Sequence, residues 1–217
     1  MANTEVFDNH LKYNGINYFR VGSEDTYLGA YGEKKSPIFQ GNYLETQDGL
    51  PATKLKIKDA VEATIDYTKS TKAEVLANIN VAGVFGANQN TAYEDLKSGK
   101  LHLYKLIIDL EDLRKAANDS PTHLNRIKSY GNDARIVSDV FVVLTANESK
   151  SFSSATLFSV SVNAGVISVN TENGVQVAGS TSTTVSNGSI FAYGLVKLKW
   201  DKNDKIEKCT DDQWGSV

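Results

Sequence analysis

Val61 to Val81 reads VEATIDYTKSTKAEVLANINV. Its odd positions, Val61, Ala63, Ile65, Tyr67, Lys69, Thr71, Ala73, Val75, Ala77, Ile79 and Val81, hold nearly all the apolar groups, and its even positions are polar except Leu76. A period of two is the mark of a strand with one apolar face, and here it outruns the roughly 5–6 residues of an ordinary strand. Lys69 falls on the apolar parity and divides the stretch into Val61–Tyr67 and Ala73–Val81. Ala73, Leu76, Ala77 and Asn80 also share a helical face, so the second piece has a helical alternative.

The elements on either side are short. Asn14-Gly15 is a hairpin-turn signal, Ile16 to Val21 (INYFRV) a strand, and Gly22 to Pro37 a polar loop that carries Tyr27, Leu28, Tyr31, Lys34 and Lys35. Leu55 and Ile57 alternate with Lys54, Lys56 and Lys58 just before the opening stretch. After a turn-rich run from Gly83 to Lys100 the chain returns as a buried strand, KLHLYKLIIDL. The period then changes: Asp109 or Asp112 is a helix cap, Leu110, Leu113 and Ala117 fall on one face, Pro121 restarts a second helix, and Gly131 stops it.

Beyond Gly131 the pattern is β. Ile136, Ser138, Val140, Val142, Leu144 and Ala146 share one parity, and Val137, Asp139, Phe141 and Val143 the other. From Ser153 to Ser189 Glu172 is the only charged residue, with Asn173-Gly174 and Asn187-Gly188 as tight turns. SIFAYGLVKLKW is the last expected strand. The expectation is a single domain over residues 1–200 with a polar tail over 201–217.

Composition narrows the function classes. A chain of 217 residues with one cysteine, Cys209, has no disulfide framework and no zinc spacing. A formal charge of −3 argues against bulk nucleic-acid binding. The opening residues MANTEVFDNHLKYNG lack a basic stretch followed by an apolar run, so no secretory signal is expected and a reducing, cytoplasmic setting is. No run of about 18 apolar residues occurs, which excludes a spanning helix but not spanning strands. His10, His102 and His123 stand in no nucleophile motif and are expected in structural roles, and the glycines at Gly83 and Gly86 form no phosphate loop. Neither an enzyme activity nor a cofactor is expected.

Four strings in order carry a resemblance: LKIKDAVE before the alternating segment, KLHLYKLIIDLEDLRKAAND, SYGNDARIVSDVFVV, and TTVSNGSIFAYGLVKLKW. Over roughly Ile16 to Trp200 the chain resembles the gasdermin pore-forming domain. The resemblance implies an α+β fold, a twisted central antiparallel sheet with extendable β-hairpin regions and a helical segment near residues 109–130. It also implies a cell-death effector that binds acidic phospholipids, self-associates and inserts two β-regions, about Val61–Lys105 and Ile136–Val185, as a membrane barrel. A spanning strand of about 9–11 alternating residues, closed into a barrel, is the β solution to backbone satisfaction in lipid.

On this resemblance the lipid-binding cations are Lys34, Lys35, Lys12, Arg114 and Lys115, and the membrane-anchor loop is Tyr27, Leu28 and Tyr31. The lipid-facing strand positions are Val61, Ala63, Ile65, Val75, Ala77, Ile79, Val81, Val140, Val142 and Leu144. The family's basic N-terminal helix is matched poorly, since residues 1–13 offer Lys12 and His10. A chain that stops soon after Trp200 is most similar to the short fungal relatives that lack a repressor domain and act in allorecognition. They are cytoplasmic when inactive, lie at the plasma membrane when active, and meet a divergent homologous partner. The alternative expectation is a β-rich structural or adhesion protein, a virion or filament subunit, for which the Ser/Thr/Val/Gly-rich stretch Ser153–Ser189 is also suitable.

Overall fold

The structure, a computed structural model, describes residues 4–38, 41–51, 55–63, 65–66, 100–144, 157–163, 166–172, 181–185 and 190–215. Among these residues it is an α+β fold in which a curled antiparallel sheet, a half-barrel, carries two helices. Val75, Ala77, Ile79 and Val81 lie outside the described residues.

Two hairpins begin the chain: β1 (Thr4–Val6), β2 (His10–Tyr13) and β3 (Ile16–Phe19). Asn14 (φ 51°) and Gly15 (φ 83°) make the expected two-residue turn between β2 and β3, both left-handed as a primed turn requires. β4 (Ala30–Lys35) and β5 (Tyr43–Gly49) follow, then β6 (Ile57–Glu62), β7 (Ile65–Asp66) and β8 (Lys100–Ile108). The described start of the alternating segment is therefore β, paired to β8 through Val61↔Lys105 and Ile65↔Leu101.

Helices α1 (Leu110–Asn118) and α2 (Pro121–Ser129) come next. The Asp109 carboxylate accepts from the Glu111 and Asp112 backbone N–H groups at 2.9 and 3.4 Å, so Asp109 is the cap. Pro121 opens α2 and the left-handed Gly131 follows its end, as expected. The remaining strands are β9 (Ala134–Leu144), β10 (Leu157–Asn163), β11 (Val166–Glu172), β12 (Thr181–Val185), β13 (Ile190–Trp200) and β14 (Ile206–Asp212).

Among the described residues eleven strands join one sheet along the path β1-β2-β3-β13-β9-β4-β5, with β14 on β13 and β8 on β9; β10-β11-β12 form a second sheet. The long strands β9 and β13 pair with each other, and each divides its outer edge between two neighbours. On β9 the first residues pair β4 and Asp139 to Leu144 pair β8; on β13 Tyr193 pairs β3 and Leu195 to Trp200 pair β14. The sheet thus forks, and at the fork the β9–β13 register slips, Gly194 facing Asp139 and Leu195 facing Val137. Ser138 is the extra residue of this bulge, which bends a strand and raises its twist.

Every residue of β9 is buried because both of its faces are covered. Val137, Val140, Val142 and Leu144 join a main core with Leu113, Ala116, Leu124 and Ile127 of the helices. Phe141 and Val143 join a second core filled from the curl of the sheet itself, with Leu11, Tyr13, Tyr18, Leu101, Leu103 and Phe191. Ile136 and Val137, just before the Ser138 bulge, both lie with Val140 and not with Phe141. This corrects the uninterrupted alternation expected over Ile136–Leu144.

Two further expectations change. The segment Gly22–Pro37 is not all loop: β4 occupies its second half, paired to β5 and β9. The segment after Trp200 is not a free tail: β14 pairs β13 along Leu195–Trp200 and brings Ile206 and Cys209 into the main core. Burial pushes the Cys209 thiol up to about 11. Near the same end, Trp214 stacks on His10, which stacks on Phe7, at ring spacings of 4.2 Å each.

Candidate functional site

Bulges at forks re-aim side chains, and here the slip between β9 and β13 opens a cleft of about 230 Å³. Its walls include Tyr18 of β3, Lys105 and Ile107 of β8, Ser138 and Asp139 of β9, Gly194 and Leu195 of β13, and Asp211 of β14. Gly194 is required there: a Cβ at that position would stand 2.2 Å from Asp139 Oδ2. Its missing side chain makes room for the carboxylate.

The floor is a chain of polar groups. Lys105 Nζ donates to Tyr18 Oη at 2.7 Å and stands 3.1 Å from Asp139 Oδ1, and Ser138 Oγ donates to Asp139 Oδ2 at 2.7 Å. The same ammonium lies 4.5 Å from the Tyr18 ring centroid and 5.7 Å from that of Phe141, within cation–π range. Burial lifts the Asp139 carboxyl above the usual carboxylate range, against the pull of Lys105, and burial likewise raises the Tyr18 phenol. For Lys105 burial acts downward, but the Asp139 charge and the Tyr18 hydrogen bond outweigh it and the ammonium is held charged. Asp139 Oδ1 keeps a charged neighbour and no aligned hydrogen-bond donor. Such a site can bind and orient a polar group; no histidine lies on its walls to activate Ser138.

A second buried ionic cluster lies nearby, where β4, β9 and β14 meet. Asp212 accepts from Lys34 Nζ at 3.1 and 3.3 Å and from Arg135 Nε, with Lys197 Nζ at 3.7 Å. The Lys34 and Arg135 side chains are each 7% exposed and that of Asp212 is 0% exposed. Arg135 also donates to the Asn132 and Ala134 carbonyls.

The expected membrane residues are scattered by this fold. Leu28 and Tyr31 are core residues and Tyr27 packs against the same core, because burial of an aromatic outweighs its exposure on a loop. The Tyr31 hydroxyl is tied to His123 Nδ1 at 2.9 Å and to Asp48 at 3.3 Å. Lys34 is buried on Asp212, so in this state it is not an exposed lipid contact. Lys35 lies between Glu33 (2.8 Å) and Glu45 (3.2 Å), Lys12 on Glu5 (3.1 Å), and Arg114 and Lys115 on Glu111 (2.6 and 3.7 Å). Ala63 and Ile65 sit in the second core, Val140, Val142 and Leu144 in the main one, and Val61 is partly buried.

Sequence reasoning passed over the cleft. Its signal was nonetheless present: Lys105 within LHLYKLII and Asp139 within IVSDVFVV are charges set in apolar runs, and Gly194 is a glycine inside a strand. No known protein-family model matches the chain, and no curated protein matches its sequence.

Proposed function

We propose that the chain is a gasdermin-like pore-forming protein of cell death, its soluble α+β domain releasing β-hairpins into a membrane. The observation that carries this reading is the register of β10, β11 and β12. Phe158↔Thr171, Val160↔Val169 and Val162↔Ile167 alternate with Ser159↔Asn170 and Ser161↔Ser168, and Val169↔Thr183 alternates with Ser168↔Thr184. In these inner pairs apolar or methyl-bearing residues share one parity and hydroxyl or amide residues the other, while the end pairs Leu157↔Glu172 and Asn163↔Val166 depart from it. Uncharged alternation of this kind is what a lipid-facing, water-facing barrel wall needs. β10 and β11 have seven residues each, and the charge-free sequence around them supplies the rest of the roughly 9–11 that a crossing takes.

Val61–Asp66 at the edge of β8 begins the other candidate hairpin region. Val140, Val142 and Leu144 are weaker candidates, because β9 is paired on both edges and buried on both faces. The proposed partners are acidic phospholipids, further copies of the chain and a divergent homologous protein. Lys12, Lys35, Arg114 and Lys115 are the cations whose partners are solvent-exposed enough to be exchanged for lipid phosphates. The proposed setting is the cytoplasm before activation and the plasma membrane afterwards.

Dye release from phosphatidylcholine vesicles, with and without phosphatidylserine, tests this reading. Release is expected with the anionic lipid. Val160→Lys is expected to abolish release while leaving vesicle binding in place, since a lysine facing lipid near the midplane costs about 2–4 kcal/mol. Absence of both release and binding sinks the proposal, and assembly into filaments under those conditions favours the structural-subunit alternative.

A further inference from the structure

We propose that the outer face of the β13–β14 hairpin is the surface that docks on an anionic phospholipid bilayer, with Lys197, Lys199 and Lys208 as its headgroup contacts. The choice of lipid rests on the pore-forming function proposed above; the surface itself follows from the strand register. Lys199 stands directly opposite Lys208 across β13 and β14, and Lys197 directly opposite Arg135 across β13 and β9. Like charges in directly opposed positions destabilise a sheet, so positive charge is gathered here against the interest of the fold. Leu198, between the two lysines of β13, packs against the main core, and its partner Cys209 lies in that core. Lys197 and Lys199 therefore share the opposite face with Lys208 and Thr210.

The carboxylates near this face hold its outer lysines weakly. Asp212 serves three cations at once, Lys34, Arg135 and Lys197, and Lys197 Nζ is the most distant of them at 3.7 Å. Glu207 meets Lys199 at 2.8 Å, but the two side chains are 51% and 67% exposed, and a pair so open to water is readily exchanged. Lys208 is exposed and makes no ion pair among the described residues. The hairpin that carries them has a fixed end: the Asp201 carboxylate accepts from the Asn203 and Lys205 backbone N–H groups at 2.8 and 2.9 Å. A two-stranded ribbon held in this way presents its ammonium groups on a surface, as a bilayer presents its phosphates. A nucleic acid fits less well, because its long line of phosphates would meet a chain of formal charge −3 beyond this patch.

The test is co-sedimentation of the full chain with phosphatidylcholine vesicles that carry increasing phosphatidylserine, at low and at high salt. Binding is expected to rise with the serine lipid and to fall with salt. Lys199→Gln combined with Lys208→Gln is expected to lower the apparent affinity about thirtyfold, about fivefold for each lysine near an anionic surface. Lys199→Arg with Lys208→Arg keeps the charge and is expected to bind like the native chain. Lys12→Gln with Lys35→Gln removes the same charge elsewhere and is expected to lose less. Equal losses in the two neutralised pairs, or unchanged binding in Lys199→Gln with Lys208→Gln, overturn the docking face, while persistent dye release would leave pore formation standing. Binding of the native chain without release does the reverse. No binding to any anionic vesicle sinks both, and capture of a labelled DNA strand in place of the vesicle overturns the lipid as occupant. Should the double Gln variant fail to fold, Lys208→Gln alone, which relieves the opposed charges, decides by the same comparison with about a fivefold loss expected.

Discussion

Asp212→Ala is expected to lower the stability of the domain by about 3–5 kcal/mol, the range for breaking one side of a buried ion pair. The reason is what remains behind. Lys34 and Arg135, both almost fully buried, would keep their charges without the carboxylate that answers them. Urea unfolding checks this, with a lower midpoint and an unchanged slope expected. Because the cluster is shielded from solvent, the loss should change little with added salt. Replacing Asp212, Lys34 and Arg135 together by apolar residues of similar volume is expected to recover most of it, since the desolvation of three charges is then removed as well. A loss below about 1 kcal/mol for Asp212→Ala would mean that the cluster behaves as a surface pair.

Phe141→Ala is expected to cost about 3–5 kcal/mol, the range for truncating a buried aromatic. Phe141 is 0% exposed and makes edge contacts with Tyr13 (5.3 Å) and Tyr18 (4.8 Å). These contacts hold the first two hairpins against β9, so truncation removes the centre of the core that the curled sheet builds from its own strands. Lys105 also loses one of the two rings near its ammonium. Thermal or urea unfolding measures the effect. A loss under about 1.5 kcal/mol would show that the sheet closes without this core and that the helix-covered face alone sustains the fold.

Local patterns made part of this fold legible. The Asp109 cap, Pro121 and Gly131 each act within a turn of their own position, and each was readable from a few residues. The Asn14-Gly15 hairpin was readable for the same reason. β4 was not: Lys34 looks like a solvent residue, and it is buried only because Asp212, 178 positions away, is there to receive it. β14 was not either. Its buried residues fall at Ile206, Cys209 and Asp212, every third position: the register slips between Ile206 and Cys209, and Cys209 and Asp212, on opposite parities, are both buried. A scan for period two passes over such a strand. The cleft depends on one slip in register between two strands, and its walls come from six strands and the start of α1, so no single window contains it.

The chain contains one thiol, and it lies in the strand that closes both the cleft and the Asp212 cluster. Cys209 is 6% exposed and its ionisation is displaced to about 11, so at neutral pH an alkylating reagent meets neither an accessible sulfur nor a thiolate. Modification therefore has to wait for β14 to leave β13. The native protein thus carries its own clock for that departure, and the labelling rate of a single residue times how often the last strand lets go.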